Sequence, residues 1–473
     1  MMLLLLLIIT PILGSCFTAW AKNDRYYASQ NVYHVAIWVM LANLGLILYT
    51  FSMLNLEKTG IQLVEKYPWI SFPPVDILLG ADTFAMLLIF GVNLAFLLAE
   101  FCLNRQQKHP KALLTLELLF VGLFNGYILA ADIISFYIFF AAVSIPLIIL
   151  ISTYGGIHKK NALVRFSLYN LIGALLLAVA ILVIYTIKES NIPLNTAGNV
   201  NLKGKTEYFV WFGLFFAFIS RMPIWPFHYW ISAINASMRN PLAFLVSSLI
   251  PLVGLYGFMR FWPNTVPEKI GVYAPIFEII CIVTMLIISL ISVSHKDFRY
   301  KLFAYTTIYY LLYLIGVFLP TGGLKMNIGY SLFSCIIIMT VLSFLISHIE
   351  NEKKRLDLYG DSGILCYMPR TSTCLSLFIL AGIGLPITPM FWNNFIIVSE
   401  IFNYNLILGI LVILALFIVS LALLEELYCM KENNDLAKSC ILSNDLSKSE
   451  FFVYMSCLVM LFISFFKPLW FVF

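Results

Sequence analysis

Long apolar stretches separated by short polar loops are the dominant pattern of the chain. Fourteen stretches stand out, at 2–20, 32–54, 82–101, 112–130, 133–153, 163–187, 207–235, 241–262, 272–294, 301–319, 327–348, 372–402, 404–428 and 451–471. A helix needs roughly 20 mostly apolar residues to cross the hydrocarbon core of a bilayer. Most of the stretches are apolar around the whole helix, as in helices that pack among others or face lipid. The pattern predicts an all-α polytopic membrane bundle of about 14 spanning helices.

The loops and the composition limit what else the chain can contain. The four longest loops, 55–81, 188–206, 349–371 and 429–450, are too short for a soluble domain, so residues 1–473 are expected to form one integral domain. The chain is 61% hydrophobic and 11% charged, whereas soluble domains average about 45–50% apolar and 25% charged. The nine cysteines are scattered without a CxxC pair, and no phosphate-binding glycine motif occurs. We therefore expect no cofactor, no metal site and no nucleic-acid partner.

Lysine and arginine are distributed unequally between the two sides that fourteen crossings would create. The odd-numbered loops hold 19 of the 29 Lys and Arg residues, and the even-numbered loops hold eight. Positive charge favours the inner side of a membrane. The bias supports the span count and predicts that both termini lie on the outer side, in a bacterial or mitochondrial inner membrane.

Two of the stretches contain paired prolines. Pro223 and Pro226 interrupt the seventh stretch, and Pro386 and Pro389 interrupt the twelfth. Proline removes a backbone donor and clashes with the preceding turn. Non-helical backbone at membrane depth persists only where protein or a water-filled cavity satisfies it. The matching positions, five spans apart, indicate two discontinuous helices in an internal repeat that places an ion path near the midplane, although two simple proline kinks would give the same pattern.

Several ionisable residues fall inside apolar stretches, where charge is costly and usually faces the bundle interior. The candidates for a proton path are Glu117, Asp132, Arg221, His228, Glu278 and Glu400, and Glu425 and Glu426 lie near the thirteenth stretch. Asp82, Glu100 and Arg260 lie near stretch ends, so they are expected to extend to the membrane surface.

Arg221 and His228 flank the prolines of the seventh stretch. A guanidinium is effectively never deprotonated, so Arg221 can bind an anion or hold an electric field but cannot carry a proton on and off. The imidazole of His228 titrates near neutral pH and suits a proton relay, although a histidine that is merely hydrogen-bonded in a polar interior fits equally well. A buried arginine needs a counter-charge, for which Glu117 is the candidate.

Five segments together resemble one family of membrane proteins. They are FAFISRMPIWPFHYW at 216–230, GLYGFMR at 254–260, AADIISFYIFFAAVSIP at 130–146, HKDFRYKLFAYTTIYYLLYLIGVF at 295–318 and LFILAGIGLPITPMFWNNFIIV at 377–398. Their sequence and order are similar to those of the antiporter-like membrane subunits. This family includes subunit 4 of respiratory NADH dehydrogenase, its bacterial M subunit and the D subunit of multisubunit cation/proton antiporters. The resemblance covers essentially the whole chain.

The resemblance implies a fold and a function. It implies inverted five-helix repeats at about 112–235 and 272–402, with broken seventh and twelfth helices. It further implies a subunit 4-like chain that contributes a proton half-channel to an NADH:quinone oxidoreductase, with the redox groups in other subunits. The expected partners are other membrane subunits, the bilayer, and protons or sodium ions. A D-like chain of an antiporter complex is the alternative within the family.

The chain departs from the family at the positions that carry charge. Ala141 stands where the family has a glutamate in the fifth span, and Arg221 where it has a lysine in the seventh. Leu252 replaces the lysine of the eighth span, and Tyr309–Tyr310 replace the serine–histidine of the tenth. Asn394 replaces the glutamate of the twelfth span. These replacements remove four titrating positions. Two hypotheses remain open at this point: a subunit that conducts protons by an altered path, and a scaffold subunit that keeps the fold without conducting.

Overall fold

The computed structural model describes most of the chain. The described residues are 2–21, 28–55, 60–70, 75–103, 110–156, 158–188, 193–194, 205–265, 273–320, 323–355, 363–386, 388–431 and 444–470.

Within these residues the chain forms seventeen α-helices, one short 3₁₀ helix and one β-hairpin. The helices are α1 (Leu3–Trp20), α2 (Ala28–Ser52), α3 (Thr83–Cys102), α4 (Pro110–Leu129), α5 (Ile133–Ala142), α6 (Ser144–Tyr154), α7 (Lys159–Lys188), α8 (Lys205–Ile219), α9 (Tyr229–Ser237), α10 (Pro241–Thr265), α11 (Ala274–Ser294), α12 (Phe298–Phe318), α13 (Lys325–Arg355), α14 (Pro369–Ile383), α15 (Pro389–Tyr404), α16 (Leu406–Lys431) and α17 (Lys448–Trp470). The 3₁₀ helix is Ile364–Tyr367, and the strands are β1 (Leu63–Ile70) and β2 (Val75–Ala81).

The prediction of a helical membrane bundle is confirmed. Eleven helices of the described part are long and apolar enough to cross a membrane, with shorter apolar helices at Thr206–Ile219 and Pro369–Ile383. The central helices α10, α12 and α13 are almost wholly buried by their neighbours, whereas α2, α7 and α16 expose most of their apolar surface. That exposed surface is what lipid or a neighbouring subunit would cover. The count of fourteen crossings stays a prediction.

A β-hairpin occupies the segment between α2 and α3 that the sequence suggested was only a polar loop. β1 and β2 pair antiparallel from Leu63 opposite Ala81 to Ile70 opposite Val75. The Glu65 carboxylate of β1 accepts hydrogen bonds from the backbone amides of Leu4 and Leu5, at 3.1 and 3.2 Å. These amides belong to the first turn of α1, whose N–H groups have no partner within the helix. The hairpin therefore caps the first helix.

Contacts between loops fall into two separate sets. Each loop is numbered by the apolar stretch that it follows. Among the described loop residues, even loops bond to even loops and odd loops to odd loops. The even set includes the bonds from Ala131 N to Leu78 O, from Leu194 N to Ala131 O and from Arg260 to Asp82. The odd set includes the bonds from Lys111 to Ala21 O, from Gly156 N to Ser237 O, from Arg299 to Met238 O and from Arg370 N to Asp445. The surface with the β-hairpin is called the hairpin face below, and the surface with the odd loops the opposite face. This separation is what one crossing per apolar stretch would produce.

One partly exposed threonine and three buried asparagines join the first four helices. Thr10 of α1 donates to Asn43 of α2 at 3.0 Å, Asn43 donates to Asn93 of α3 at 2.7 Å, and Asn93 donates to Asn125 of α4 at 2.9 Å. The amide of Asn125 donates in turn to the Leu7 carbonyl of α1, which closes the circuit. Helix association in a bilayer depends on packing and interhelical hydrogen bonds, because lipid is as apolar as leucine. The network therefore fixes these helices relative to one another.

The backbone is not α-helical at Pro223, Pro226 and Pro386, whereas Pro389 is the first residue of α15. α8 ends at Ile219 and α9 begins at Tyr229, whereas α14 ends at Ile383 and α15 begins at Pro389. At the second interruption Gly384 has φ +102°, a left-handed conformation that favours glycine. That each pair of helices crosses the membrane as one discontinuous span remains a prediction.

Gly254 of α10 lies against the end of α8, and the two backbones approach closely. A Cβ atom at Gly254 would lie 2.7 Å from the Phe218 carbonyl oxygen, whereas one at Gly45 of α2 would have no neighbour within 4 Å. We expect Gly254→Ala to lower the thermal midpoint of the purified protein by overpacking, which costs about 1–3 kcal/mol. Gly45→Ala is the matched control and should leave the midpoint equal or higher, since alanine favours helix interiors by about 0.5–1 kcal/mol. A similar midpoint for both variants would contradict the close approach.

Candidate functional site

Arg221 is fully buried just after the end of α8 and has few polar contacts. One terminal nitrogen donates to the Phe140 carbonyl of α5, and the guanidinium carbon lies 3.8 Å from the centre of the Phe140 ring. The Nε and Nη1 atoms have no hydrogen-bond partner. A desolvated cation over an aromatic face gains about 2 kcal/mol, which compensates only part of the cost of burying a charge.

The expected pairing of Arg221 with Glu117 is wrong. Among the described residues no carboxylate forms an ion pair with Arg221, and both oxygens of Glu117 lack a hydrogen-bond partner. Glu117 of α4 interacts electrostatically with Glu100 of α3 instead. Sequence could not show this, because the direction of a side chain around an apolar helix depends on packing.

Glu100 of α3 and Glu117 of α4 are two buried carboxyls that interact electrostatically. Glu100 is 3% exposed and Glu117 is not exposed at all, and none of their four oxygens has a hydrogen-bond partner. The expectation that Glu100 extends to the membrane surface is therefore wrong. Burial of two carboxyls that interact electrostatically disfavours ionisation of both unless water or a counter-ion is present.

Asp132 is brought into a set of backbone hydrogen bonds. Its carboxylate accepts from Ser135 N at 2.8 Å, which caps the first turn of α5, and from Leu78 N of β2 at 2.9 Å. It also accepts from the Ser135 hydroxyl. An N-cap aspartate stabilises a helix by about 0.5–2 kcal/mol. The geometry accounts for this buried carboxylate without a transport role.

His228 precedes α9 and is partly exposed beside the first interruption. Its ring stacks on Tyr229 with 4.5 Å between the ring centroids, and its Nδ1 atom is buried without a hydrogen-bond partner. The preceding segment reaches α11, since Trp225 N donates to the Thr284 hydroxyl at 3.2 Å. Pro223 is buried and Pro226 is exposed.

Glu278 and Glu400 occupy different environments. Glu278 of α11 is 1% exposed, and its two carboxylate oxygens have no hydrogen-bond partner. Glu400 of α15 is partly exposed. Asn394, also on α15, is buried with its side-chain oxygen unpartnered.

A row of tyrosines covers the second interruption. Tyr305, Tyr309 and Tyr313 follow one another at four-residue spacing on α12, with ring centroids 4.8 and 6.2 Å apart. The hydroxyls of Tyr305 and Tyr309 donate to the Gly382 carbonyl at 3.2 and 3.1 Å. This carbonyl lies in the last turn of α14, where backbone acceptors lack partners within the helix. The tyrosines therefore satisfy the end of the broken helix.

A buried ion network lies at the hairpin face. Arg260 of α10 bonds both oxygens of Asp82, at 2.7 and 2.8 Å, and Lys325 of α13 lies 3.9 Å from the same carboxylate. Arg260 also donates to the Tyr256 hydroxyl, and Asp82 caps α3 through Ala85 N. The side chains of Asp82 and Arg260 are only 6% and 9% exposed, so the expectation that they extend to water is wrong.

The network keeps Asp82 ionised. Burial alone raises the pKa of the Asp82 carboxyl, but the charges of Arg260 and Lys325 and the hydrogen bonds from Arg260 and Ala85 outweigh burial and lower its pKa below the ordinary value. A carboxylate with a lowered folded-state pKa stabilises the fold above its unfolded-state pKa and loses that effect only as pH falls through the folded-state value. The pair is therefore intact at neutral pH.

No metal site was expected, and among the described residues no group of three or more His, Cys, Asp or Glu side chains could hold a metal ion.

Two features of the site were missed by sequence reasoning. The tyrosine row was visible as a four-residue repeat, whereas the Asp82–Arg260 pair, 178 residues apart, carried no local signal.

Comparisons with known proteins match this architecture. Residues 130–419 match the family model described as NADH:quinone oxidoreductase/Mrp antiporter, transmembrane. The NADH-quinone oxidoreductase subunit M of Rickettsia typhi is 24% identical over 431 residues, covering 88% of this chain and 86% of that protein. The NADH-ubiquinone oxidoreductase chain 4 of Marchantia polymorpha is 24% identical over 427 residues, covering 87% and 83%.

Solved structures share the fold. A chain of respiratory complex I from Thermus thermophilus superposes with a TM-score of 0.85 at 20% identity, covering 98% of this chain and 96% of that chain. A chain of the Mrp complex from a Dietzia species superposes with a TM-score of 0.82 at 15% identity, covering 97% of this chain and 50% of that chain. The family match covers more than half of the sequence, and the chain belongs to the NADH:quinone oxidoreductase/Mrp antiporter family of transmembrane subunits.

Proposed function

We propose that the chain is the subunit 4-type (subunit M-type) membrane subunit of an NADH:quinone oxidoreductase and that it moves protons through its interior. Relatives from bacteria and from organelle-bearing eukaryotes carry those two names and align over most of this chain. Electron transfer would take place in other subunits, and this chain would respond to it by taking up and releasing protons within the bundle.

The observation that carries the proton-handling part is a set of buried ionisable side chains without hydrogen-bond partners. Glu100, Glu117 and Glu278 have no partner for either carboxylate oxygen, and Arg221 has none for two of its three nitrogens. Ionisable groups at membrane depth cost several kcal/mol and usually serve transport. A carboxyl in such a place is either protonated or hydrated, and both conditions suit a group that exchanges protons.

A non-conducting scaffold subunit is the second candidate, and specific observations favour it. Leu252 stands completely buried at a position where the family carries a lysine, and Asp132 caps α5 through Ser135 N. A chain that had lost transport would still need the fold and its caps. The two candidates differ in what happens when a buried carboxyl is neutralised.

The test compares Glu117→Gln with Glu207→Gln in the intact complex, because Glu207 is a partly exposed residue of the first turn of α8. Each complex is purified in mild detergent, its subunits are identified, and it is reconstituted in vesicles. We expect Glu117→Gln to lower the number of protons moved per NADH oxidised, whereas Glu207→Gln matches the wild type. Equal ratios for both variants would reject the transport function, and co-purification without NADH-oxidising subunits would reject the assignment to this complex.

A further inference from the structure

The non-helical segment of the first interruption is bonded to a helix of the other predicted repeat. Non-helical backbone at membrane depth persists only where its polar groups are satisfied by protein or water. Trp225 lies between the two prolines of this interruption, and its backbone N–H donates to the Thr284 hydroxyl of α11 at 3.2 Å. Because Trp225 falls in 112–235 and Thr284 in 272–402, the bond joins the two halves of the chain.

The Thr284 hydroxyl is oriented to accept this hydrogen bond. Thr284 is 1% exposed, and its hydroxyl donates its proton to the Ile280 carbonyl, one turn earlier on α11, at 2.7 Å. A hydroxyl has one proton to donate and two lone pairs that accept. Since the proton is used within the helix, the oxygen is left to accept from Trp225 N. The two bonds together fix the direction of the side chain and of the amide that it receives.

Aromatic packing places α11 against α8, the helix that precedes the interruption. The centroid of the Phe277 ring of α11 lies 4.0 Å from that of the Phe215 ring of α8 and 6.2 Å from that of Trp211, also on α8. Phe277 precedes Thr284 by seven residues, which is about two helical turns, so both side chains lie on one face of α11. Thr284 therefore belongs to the face of α11 that packs on α8 and the segment after it.

The two ionisable side chains of the interruption lie on either side of Trp225. Arg221 is bonded to the Phe140 carbonyl of α5, whereas Nδ1 of His228 has no hydrogen-bond partner. The position of the His228 ring therefore depends on its stacking with Tyr229 and on the backbone that carries it. A hydrogen bond three residues before His228 limits how far that backbone can move.

We propose that Thr284 is a positioning residue for proton movement. Its hydroxyl holds the segment between Arg221 and His228 against α11, so that both ionisable side chains keep their places at the first interruption. Thr284 exchanges no proton itself, since its own proton stays bonded to the Ile280 carbonyl. The role in proton movement rests on the proposed function, whereas the attachment of the segment to α11 does not.

The attachment is tested by amide hydrogen–deuterium exchange of the intact complex, measured by mass spectrometry. Thr284→Val keeps the shape of the side chain and removes the acceptor, so exchange at Trp225 is expected to become about two- to tenfold faster, the effect of losing one hydrogen bond. Thr284→Ser keeps the oxygen and should match the wild type. Thr340→Val is the matched control, since the buried Thr340 hydroxyl donates within α13 to Ile336 O. Equal exchange at Trp225 in the wild type and Thr284→Val overturns the proposal.

The role in proton movement is tested in vesicles by the number of protons moved per NADH oxidised. The variants are compared at equal amounts of assembled complex, and their thermal midpoints are measured alongside. Thr284→Val is expected to lower the ratio, as Glu117→Gln does, because the segment that carries the ionisable side chains is no longer fixed. Thr284→Ser should restore the ratio, and Thr340→Val should leave it unchanged.

The outcomes separate the two proposals. An unchanged ratio in Thr284→Val, together with a lowered ratio in Glu117→Gln, overturns the positioning role and leaves the proposed function intact. Unchanged ratios in both variants overturn both proposals. A lowered ratio in Thr284→Val that Thr284→Ser does not restore also overturns the positioning role, because it shows a packing defect.

Discussion

Asp82→Ser is expected to prevent the folded chain from accumulating in its complex. The substitution keeps a side-chain oxygen for the cap of α3 but removes the charge that Arg260 and Lys325 share. Breaking one side of a buried ion pair costs about 3–5 kcal/mol, because the remaining charge stays buried without compensation. This is a large part of the stability of an ordinary fold. Subunit abundance in purified membranes, measured with an antibody, is the readout.

The chain offers a matched control for this experiment. Asp76 and Lys66 form an ion pair in the β-hairpin at 2.8 Å, but their side chains are 39% and 63% exposed. Exposed pairs contribute only about 0–1 kcal/mol, so Asp76→Ser should leave abundance near that of the wild type. The double variant Asp82→Ser/Arg260→Met should recover part of the loss, since it removes both buried charges. Full abundance of Asp82→Ser alone would show that Arg260 is hydrated rather than dependent on Asp82.

Arg221→Met is expected to raise the thermal midpoint of the complex and to abolish proton movement through this chain. Arginine at the centre of a spanning helix costs about 2.5–3.5 kcal/mol on insertion scales, and Arg221 compensates this cost with one carbonyl and one aromatic face. Methionine fills a similar shape without that cost. The substitution removes the fixed positive charge that would act on protons moving through the interior. Scanning fluorimetry gives the midpoint, and pumping in vesicles gives the rate.

Two further variants make the Arg221 result interpretable. Arg165 of α7 is exposed, so Arg165→Met should change neither quantity. Arg221→Lys keeps the charge and should retain more pumping than Arg221→Met. A higher midpoint with unchanged pumping in Arg221→Met would favour the scaffold. A lower midpoint would show that water or an anion compensates the guanidinium.

The parts of the fold that sequence could predict depend on local physics. Apolar length fixes where a helix can cross a bilayer, and proline fixes where its hydrogen bonds fail. The helices and the non-helical segments after Ile219 and Ile383 therefore lie close to the predicted stretches. The hairpin was missed because Leu63–Ile70 follows a polar loop, and its alternation of side chains is short and interrupted by Pro68.

The candidate site was less predictable, because it depends on side-chain direction in helices that are apolar on all sides. Glu117 interacts electrostatically with Glu100 and has no hydrogen bond to Arg221, and Asp132 accepts hydrogen bonds from backbone amides. Nothing in the spacing of these residues distinguishes the alternatives. The inverted repeats at 112–235 and 272–402 and the proton-path roles of His228, Glu278 and Glu400 remain predictions.

The length of α13 has a mechanical consequence. Its 31 residues span about 46 Å, compared with a hydrocarbon core of about 30 Å. Its first residue, Lys325, lies beside Asp82, and near its other end Glu350 pairs with Arg299 of α12. One continuous helix thus has a pair of opposite charges near each membrane surface. If breaking either ion pair lets α13 tilt, its opposite end moves as well, because the helix is continuous.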